Sequence, residues 1–399
     1  MAAGPGDGQV PLPVGTRLVH IGPHKTGTTS LQEALFAARP QLIEQGVRHI
    51  GASRNPATAV QAVTGRPGFY TTETPPIGHW RDLVEEFDRA QEARVILSSE
   101  FFAWAAPDAI RRIVDDLDPE RVHVAVTLRP LGRIMPSHWQ QDIQAGFIAA
   151  FDEWLDLLLN RPEGRTHKFW TLHRHDELIR RWVDVVGADR MTIVVADDRD
   201  HNVVLRAFEG LTGLREGTLV PDPDRTNRSL TLPEAEALRA FNVAFREKGY
   251  GRPMYARVVR FGAAKLMKAR QPAPDEPRVE MPQWAIDRAA EIGREIVADI
   301  AALGVRVIGD LDSLSRAEAS RRVGDEPQAA AVSPDVAATL AMGILEATGA
   351  TRRTWIGPFS SEPLELAGIP TGQVARLIAG RARKKARRIV TAPFRRVGR

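Results

Sequence analysis

Two kinds of apolar patterning alternate along the chain. Short runs with little polar interruption occur at 18–21 (Leu18, Val19, Ile21), 95–99 (VILSS), 121–129 (RVHVAVTLR), 191–198 (MTIVVADD) and 305–309 (VRVIG), with a briefer one in GVRHIG at 46–51. Between them, apolar residues recur at three- to four-residue spacing. This pattern runs from Thr28 through Leu31, Leu35 and Phe36, over 80–93 with Leu83, Val84 and Phe87, and over 133–144, 153–159, 172–186, 231–248 and 282–303. The first pattern suits strands buried on both faces and the second suits helices that bury one face. Their alternation predicts an α/β fold with right-handed crossovers, a parallel sheet covered by helices on both faces, and ligands at the C-terminal ends of the strands. The stretch 52–79, rich in Gly, Pro and Thr, reads as a loop region with one helical turn, of the kind that covers or lines a site.

After Asp310 the character changes. Ser, Ala, Arg and Glu dominate 313–328, as in a linker. The expected organisation is a flexible arm over 1–16, an α/β domain over 17–310, a linker with a small helical segment over 311–371, and a basic amphipathic extension over 372–399. That extension carries ten Lys/Arg and no acid; the whole chain is +4, so residues 1–371 are at −6. With no cysteine, disulfide staples and cysteine-zinc sites are excluded. The first fifteen residues have neither a basic nor an apolar leader region, and no run of eighteen apolar residues occurs, so a cytoplasmic, non-spanning protein is expected.

The stretch from Thr16 to Gln32 holds the strongest chemical signal. A strand ends at Ile21, Gly22 and Pro23 break it, and a helix starts near Thr28, which makes an anion cradle from the unpaired amides of the first helical turn. Gly22 and Gly27 are five apart, close to the nucleotide-binding G-x-x-x-x-G-K-[ST] pattern, and Thr29 and Ser30 follow. However, Thr28 stands where that pattern has lysine, and Lys25 lies inside the loop. Pro23-His24-Lys25-Thr26-Gly27-Thr28-Thr29 resembles the 5′-phosphosulfate loop of sulfotransferases that use 3′-phosphoadenosine 5′-phosphosulfate (PAPS), whose bacterial members often read H-K-T-G-T-T. The resemblance implies a P-loop-type fold over about 17–310. It also implies that residues 25–30 bind PAPS, that Lys25 acts on the bridging oxygen, and that His24 is a donor near the sulfuryl group.

Three further segments bear on that reading. Arg129 closes one strand and Ser137 follows eight residues later; in PAPS sulfotransferases an arginine and serine at this spacing grip the 3′-phosphate, though the spacing alone is common on solvated surfaces. Glu100 follows the strand 95–99, where a carboxylate points into the ligand crevice as a base for an acceptor hydroxyl, or else serves as a capping acid. In 224–231 the resemblance implies a basic loop that closes on the 3′-phosphate, with Arg225, Asn227, Arg228 and Ser229 as candidates, and the same segment reads equally as a helix cap.

A sulfuryl group carries one less negative charge than a phosphoryl group, so no metal is expected. The expected function is transfer of a sulfuryl group from PAPS to a hydroxyl or amine of an acceptor, carbohydrate or lipid-linked, with no specific nucleic-acid partner. A P-loop kinase or NTPase is the alternative, with IVVADD at 193–198 as a magnesium-binding strand; a non-catalytic nucleotide-binding homologue is a third. His167, His173 and His175 lack convincing ligand spacing. Trp139, Trp154 and Trp170 would either floor a sugar site or sit in the core. In the extension, Val374, Leu377, Ile378, Ile389 and Val390 are interleaved with RARKKARR, a pattern that suits peripheral contact with an anionic inner membrane face as well as a solvated tail.

Overall fold

Six parallel strands form one sheet in the order β2-β3-β1-β4-β5-β6. They are β1 (Arg17–His20), β2 (Val47–His49), β3 (Arg94–Ser98), β4 (Val122–Leu128), β5 (Met191–Val195) and β6 (Arg306–Ile308). This computed structural model describes residues 10–68, 73–90, 93–161, 164, 168–221, 228–322 and 331–348. Candidates Arg225 and Asn227, His167, and the extension 372–399 lie outside the described residues.

The helices are α1 (Thr28–Ala37), α2 (Arg39–Glu44), α3 (Ala57–Val63), α4 (Gly78–Asp88), α5 (Pro107–Asp116), α6 (Leu131–Gln144), α7 (Phe151–Asn160) and α8 (Lys168–His173). After them come α9 (His175–Val186), α10 (Val203–Thr212), α11 (Leu232–Glu247), α12 (Arg252–Tyr255), α13 (Ala264–Ala269), α14 (Gln283–Ala302) and α15 (Pro334–Ala347). A π-helical segment, Ala256–Ala263, joins α12 to α13.

Strand side chains alternate between two cores, as the two-residue period requires. Leu18, Ile96, Ala125 and Val194 pack with Leu31 and Leu35 of α1 and Phe208 of α10. Val19, Leu97, Val124 and Ile193 pack on the other face, against α4, α5, α6, α9 and α14, where Trp80, Trp139, Trp154 and Trp182 are fully buried. The sheet is therefore covered on both sides, and its C-terminal edge carries the β1–α1 loop, Glu100 and Arg129.

The structure departs from the periodicity reading in several places. The 52–79 stretch holds the seven-residue helix α3 and the start of α4, rather than a single turn. Helix α10 was not expected, although Leu205, Phe208 and Leu211 recur every three residues and Gly213 ends the helix in a left-handed conformation. Residues 252–269, to which the periodicity assigns no element, are helical throughout. In the 313–328 stretch, Leu314 is buried and Arg322 pairs with Asp152 of α7 at 2.7 Å.

Candidate active site

The β1–α1 loop takes left-handed backbone at Gly22 (φ +81°), Lys25 (φ +69°) and Gly27 (φ +95°). A side chain at Gly22 has no room, since its Cβ would lie 2.8 Å from the Glu100 Cα. Gly27 precedes α1, and no side chain caps that helix. The first helical bond runs from the Leu31 amide to the Gly27 carbonyl at 3.3 Å, which leaves the amides of Thr28, Thr29 and Ser30 without a partner among the described residues. Three outward donors at a helix start form a site for a phosphate-like anion.

A buried polar chain supports the loop from below. Ser98 of β3 lies 2.8 Å from His20 Nδ1 of β1; His20 Nε2 lies 3.2 Å from Thr127 Oγ1 of β4; Thr127 Oγ1 lies 2.7 Å from Thr26 Oγ1. The Pro23 carbonyl accepts hydrogen bonds from the hydroxyls of Thr26 (2.8 Å) and Thr28 (3.1 Å). Burial pushes His20 down to about 3, so its imidazole is neutral. Thr26 is therefore part of the loop's internal frame, whereas Thr29 and Ser30 are exposed.

Lys25 has no hydrogen-bond or ion-pair partner among the described residues. Burial pulls it down to about 8, with the Lys268 ammonium of α13 pulling the same way and Glu100 opposing. Glu100 opens a 3-10 turn over Glu100–Trp104 that is capped by the Ser99 hydroxyl. Its Oε2 accepts from Gln32 Nε2 at 2.9 Å and from Asn55 Nδ2 at 2.8 Å, and its Oε1 lies 3.9 Å from His24 Nδ1. His24 Nε2 accepts weakly from Trp104 Nε1 at 3.4 Å, so the imidazole proton belongs on Nδ1, toward the carboxylate. Burial lowers the His24 pKa, Glu100 works against that shift, and Lys25 adds to it. The Arg66 guanidinium stacks 4.2 Å above the Trp104 ring.

A second group lies at the end of β4, the neighbour of β1. Arg129, Ser137, Arg228 and Ser229 all line one cavity of about 440 Å³, together with Arg133, Arg278 and residues 314–321. Arg129 is held by Asp198 (Nη2 at 2.6 Å), which also receives Arg133 at 3.1 Å. The Ser137 hydroxyl donates to the Ile134 carbonyl at 3.0 Å. Arg228 is committed elsewhere: it pairs with buried Glu234 at 2.7 and 2.8 Å and donates to the carbonyls of Met267 and Arg270. The helix-cap reading of this segment is realised by Thr231 and Glu234, which form a reciprocal capping box at the start of α11. Loop residues 23–30 do not line this cavity; the two groups meet through the β1–β4 ladder, where the Thr127 amide donates to the Gly22 carbonyl at 2.9 Å.

No family model matches the chain, and no curated protein matches it. Among solved structures, a sulfotransferase from Alicyclobacillus acidocaldarius aligns at 19% identity and a TM-score of 0.38, over 57% of this chain and 93% of that one. A likeness so distant carries no argument about this protein, whose chemistry is read from its own residues.

Asp197 and Asp198, the candidate magnesium ligands of the alternative reading, are both in ion pairs, with Arg199 at 2.8 Å and with Arg129 and Arg133. Their strand, β5, is separated from β1 by β4. Among the described residues no group of three or more His, Cys, Asp or Glu is arranged to hold a metal. His173 and His175 are buried; His173 Nε2 lies 3.3 Å from His138 Nδ1, with Phe169 packed on both rings. Trp139, Trp154 and Trp170 belong to the core. Sequence reasoning missed Gln32, Asn55, Trp104, Arg66 and Lys268. Gln32 carried a signal, since it falls one residue after Leu31 on the first helix behind the loop.

Proposed function

We propose that the chain is a sulfotransferase that uses PAPS as donor. The observation that carries this reading is the β1–α1 loop. Among the described residues it presents unpaired amides at 28–30 with an unpartnered lysine inside the loop, and Glu100 stands just beyond the end of the adjoining strand. A 5′-phosphosulfate fits that cradle: the amides and helix dipole hold the 5′-phosphate, and Lys25 is left for the oxygen that bridges phosphorus and sulfur. Arg129 and Ser137, in the cavity at the end of the neighbouring strand β4, suit the 3′-phosphate, and Ser229 lines the same cavity.

In this mechanism the acceptor hydroxyl oxygen attacks sulfur in line with the sulfur–bridging-oxygen bond. As that bond breaks, its electron pair stays on the oxygen, where the Lys25 ammonium stabilises the growing charge. The hydroxyl proton passes to the Glu100 carboxylate, which Gln32 and Asn55 hold in place. His24, with its proton toward Glu100, keeps that carboxylate oriented. The kinase reading is weaker because Asp197 and Asp198 are spent on arginines and lie two strands from the loop.

Calorimetry with 3′-phosphoadenosine 5′-phosphate (PAP), the desulfated product, against ATP tests the reading. Tight binding of the former without added metal, with ATP much weaker, is expected. Preferential, magnesium-dependent ATP binding would overturn it.

A further inference from the structure

Exposed apolar side chains are concentrated on one part of the surface. Eleven large ones are exposed among the described residues. Six of these, Tyr250, Met254, Phe261, Val332, Met342 and Leu345, fall within 249–269 and 331–348. Those two segments are packed together: α15 crosses the π-helical segment at Gly262 and Gly343, where a Cβ on Gly343 would lie 2.6 Å from the Ala263 Cα. Beside the crossing, Leu266, Ala269, Ala338 and Met342 line a shallow groove of about 320 Å³.

Charge on the 248–268 part of this face has one sign, while α15 carries Asp335, paired with Arg270 at 2.9 Å, and Glu346. From Lys248 to Lys268 the sequence holds six Lys/Arg and no acid. Met254, Arg257, Phe261 and Lys265 are all exposed and recur at three- to four-residue spacing, and Arg252 is exposed beside them in sequence. A patch of exposed apolar side chains flanked on its 248–268 side by six cations matches the interface of an anionic bilayer, where acyl chains take the apolar residues and headgroups take the cations. A second copy that met this face through the same 248–268 segment would set like charge against like. Residues 351–399, with twelve Lys/Arg and two Glu, also offer this face no complementary charge.

We propose that the face formed by residues 249–269 and α15 docks on an anionic lipid surface. Because the folded helices themselves carry the contact, this inference does not depend on the sulfotransferase reading or on the basic extension. Full-length protein is sedimented with vesicles of phosphatidylglycerol and phosphatidylcholine, and with vesicles of phosphatidylcholine alone. Wild type is expected to sediment with the first and not the second. A Met254→Asp/Met342→Asp variant, placed on exposed positions and checked for an unchanged melting temperature, is expected to lose at least about tenfold in partition. A Lys248→Ser/Lys265→Ser variant is expected to lose a similar amount and to make the remainder insensitive to salt. Equal sedimentation of the variants and wild type, or no preference for the anionic vesicles, overturns the proposal. So does a wild-type dimer that either pair of substitutions dissociates, with no vesicle binding.

Discussion

Asn55 Nδ2 lies 2.8 Å from Glu100 Oε2, joining the loop after β2 to the residue that follows β3. With Gln32 on the same oxygen at 2.9 Å, two neutral amides hold the carboxylate, and His24 Nδ1 lies 3.9 Å from its other oxygen. Glu100→Gln preserves the shape and removes the proton acceptor, so turnover should fall by about a hundredfold or more while PAP affinity stays unchanged. Wild-type turnover in that variant would make Glu100 structural. Asn55→Ala, which removes one positioning contact, should cost about 1 kcal/mol, roughly fivefold in turnover.

Lys25 gives a pH signature. Its native value, about 8, lies below the ordinary 10.5 because of burial and the neighbouring Lys268. The protonated form that would stabilise the leaving oxygen is therefore lost as pH rises through about 8, and kcat/KM should decline on that limb. Lys25→Arg should flatten the limb, and Lys25→Ala should lower turnover by about a hundredfold. A wild-type profile that stays level through this range would separate Lys25 from the reaction.

Arg129 should behave differently from Lys25. One edge of its guanidinium is taken by Asp198, at 2.6 and 2.8 Å, so the remaining nitrogen is the one available to a ligand. Arg129→Ala is expected to weaken PAP by about 2 kcal/mol and leave adenosine 5′-phosphate unaffected. Equal losses for both nucleotides would remove the assignment of a separate 3′-phosphate subsite.

Arg228, by contrast, should report on stability. It neutralises Glu234, which is fully buried at the start of α11, with Arg270 as the second partner at 2.8 Å. Arg228→Ala leaves that carboxylate half-compensated and should cost about 2 kcal/mol or more in thermal or urea unfolding. If unfolding is unchanged and only nucleotide affinity drops, Arg228 is a ligand residue after all.

Acid should unfold the protein before its carboxylates are fully protonated. Burial lowers His20 and His49 to about 3 and His123 and His175 to about 4, all below the ordinary 6.5. Between those values and 6.5 the unfolded chain binds more protons than the folded one. Stability therefore falls as pH drops below 6.5 and continues to fall toward 4. A melting temperature constant from neutral pH to 4 would contradict the burial of these rings.

The β1–α1 loop was legible because its chemistry is local: two glycines, an internal lysine and a following hydroxyl run are written in consecutive residues. The strands were legible because burial on both faces forces unbroken apolar runs. Even the supporting chain left a trace, since Ser98, His20 and Thr127 are polar positions inside such runs. Lys268 could not be read in this way, because only tertiary packing of α13 brings it near a residue close to the N-terminus. Arg228 looked like a ligand because the family resemblance implies a basic loop over the 3′-phosphate in this part of the chain; the acid that claims it, Glu234, sits six residues later and was visible as half of the capping box.

The placement of β1 between β3 and β4 has a consequence for what the crevice accepts. Glu100 and Arg129 leave from the strands on either side of the loop, so their separation is set by the ladder, about two interstrand widths or roughly 10 Å. Insertions in the surrounding connections change what approaches this ruler without changing its length. Chain variants with remodelled covers should therefore keep the spacing of Glu100 and Arg129 while admitting ligands of different size.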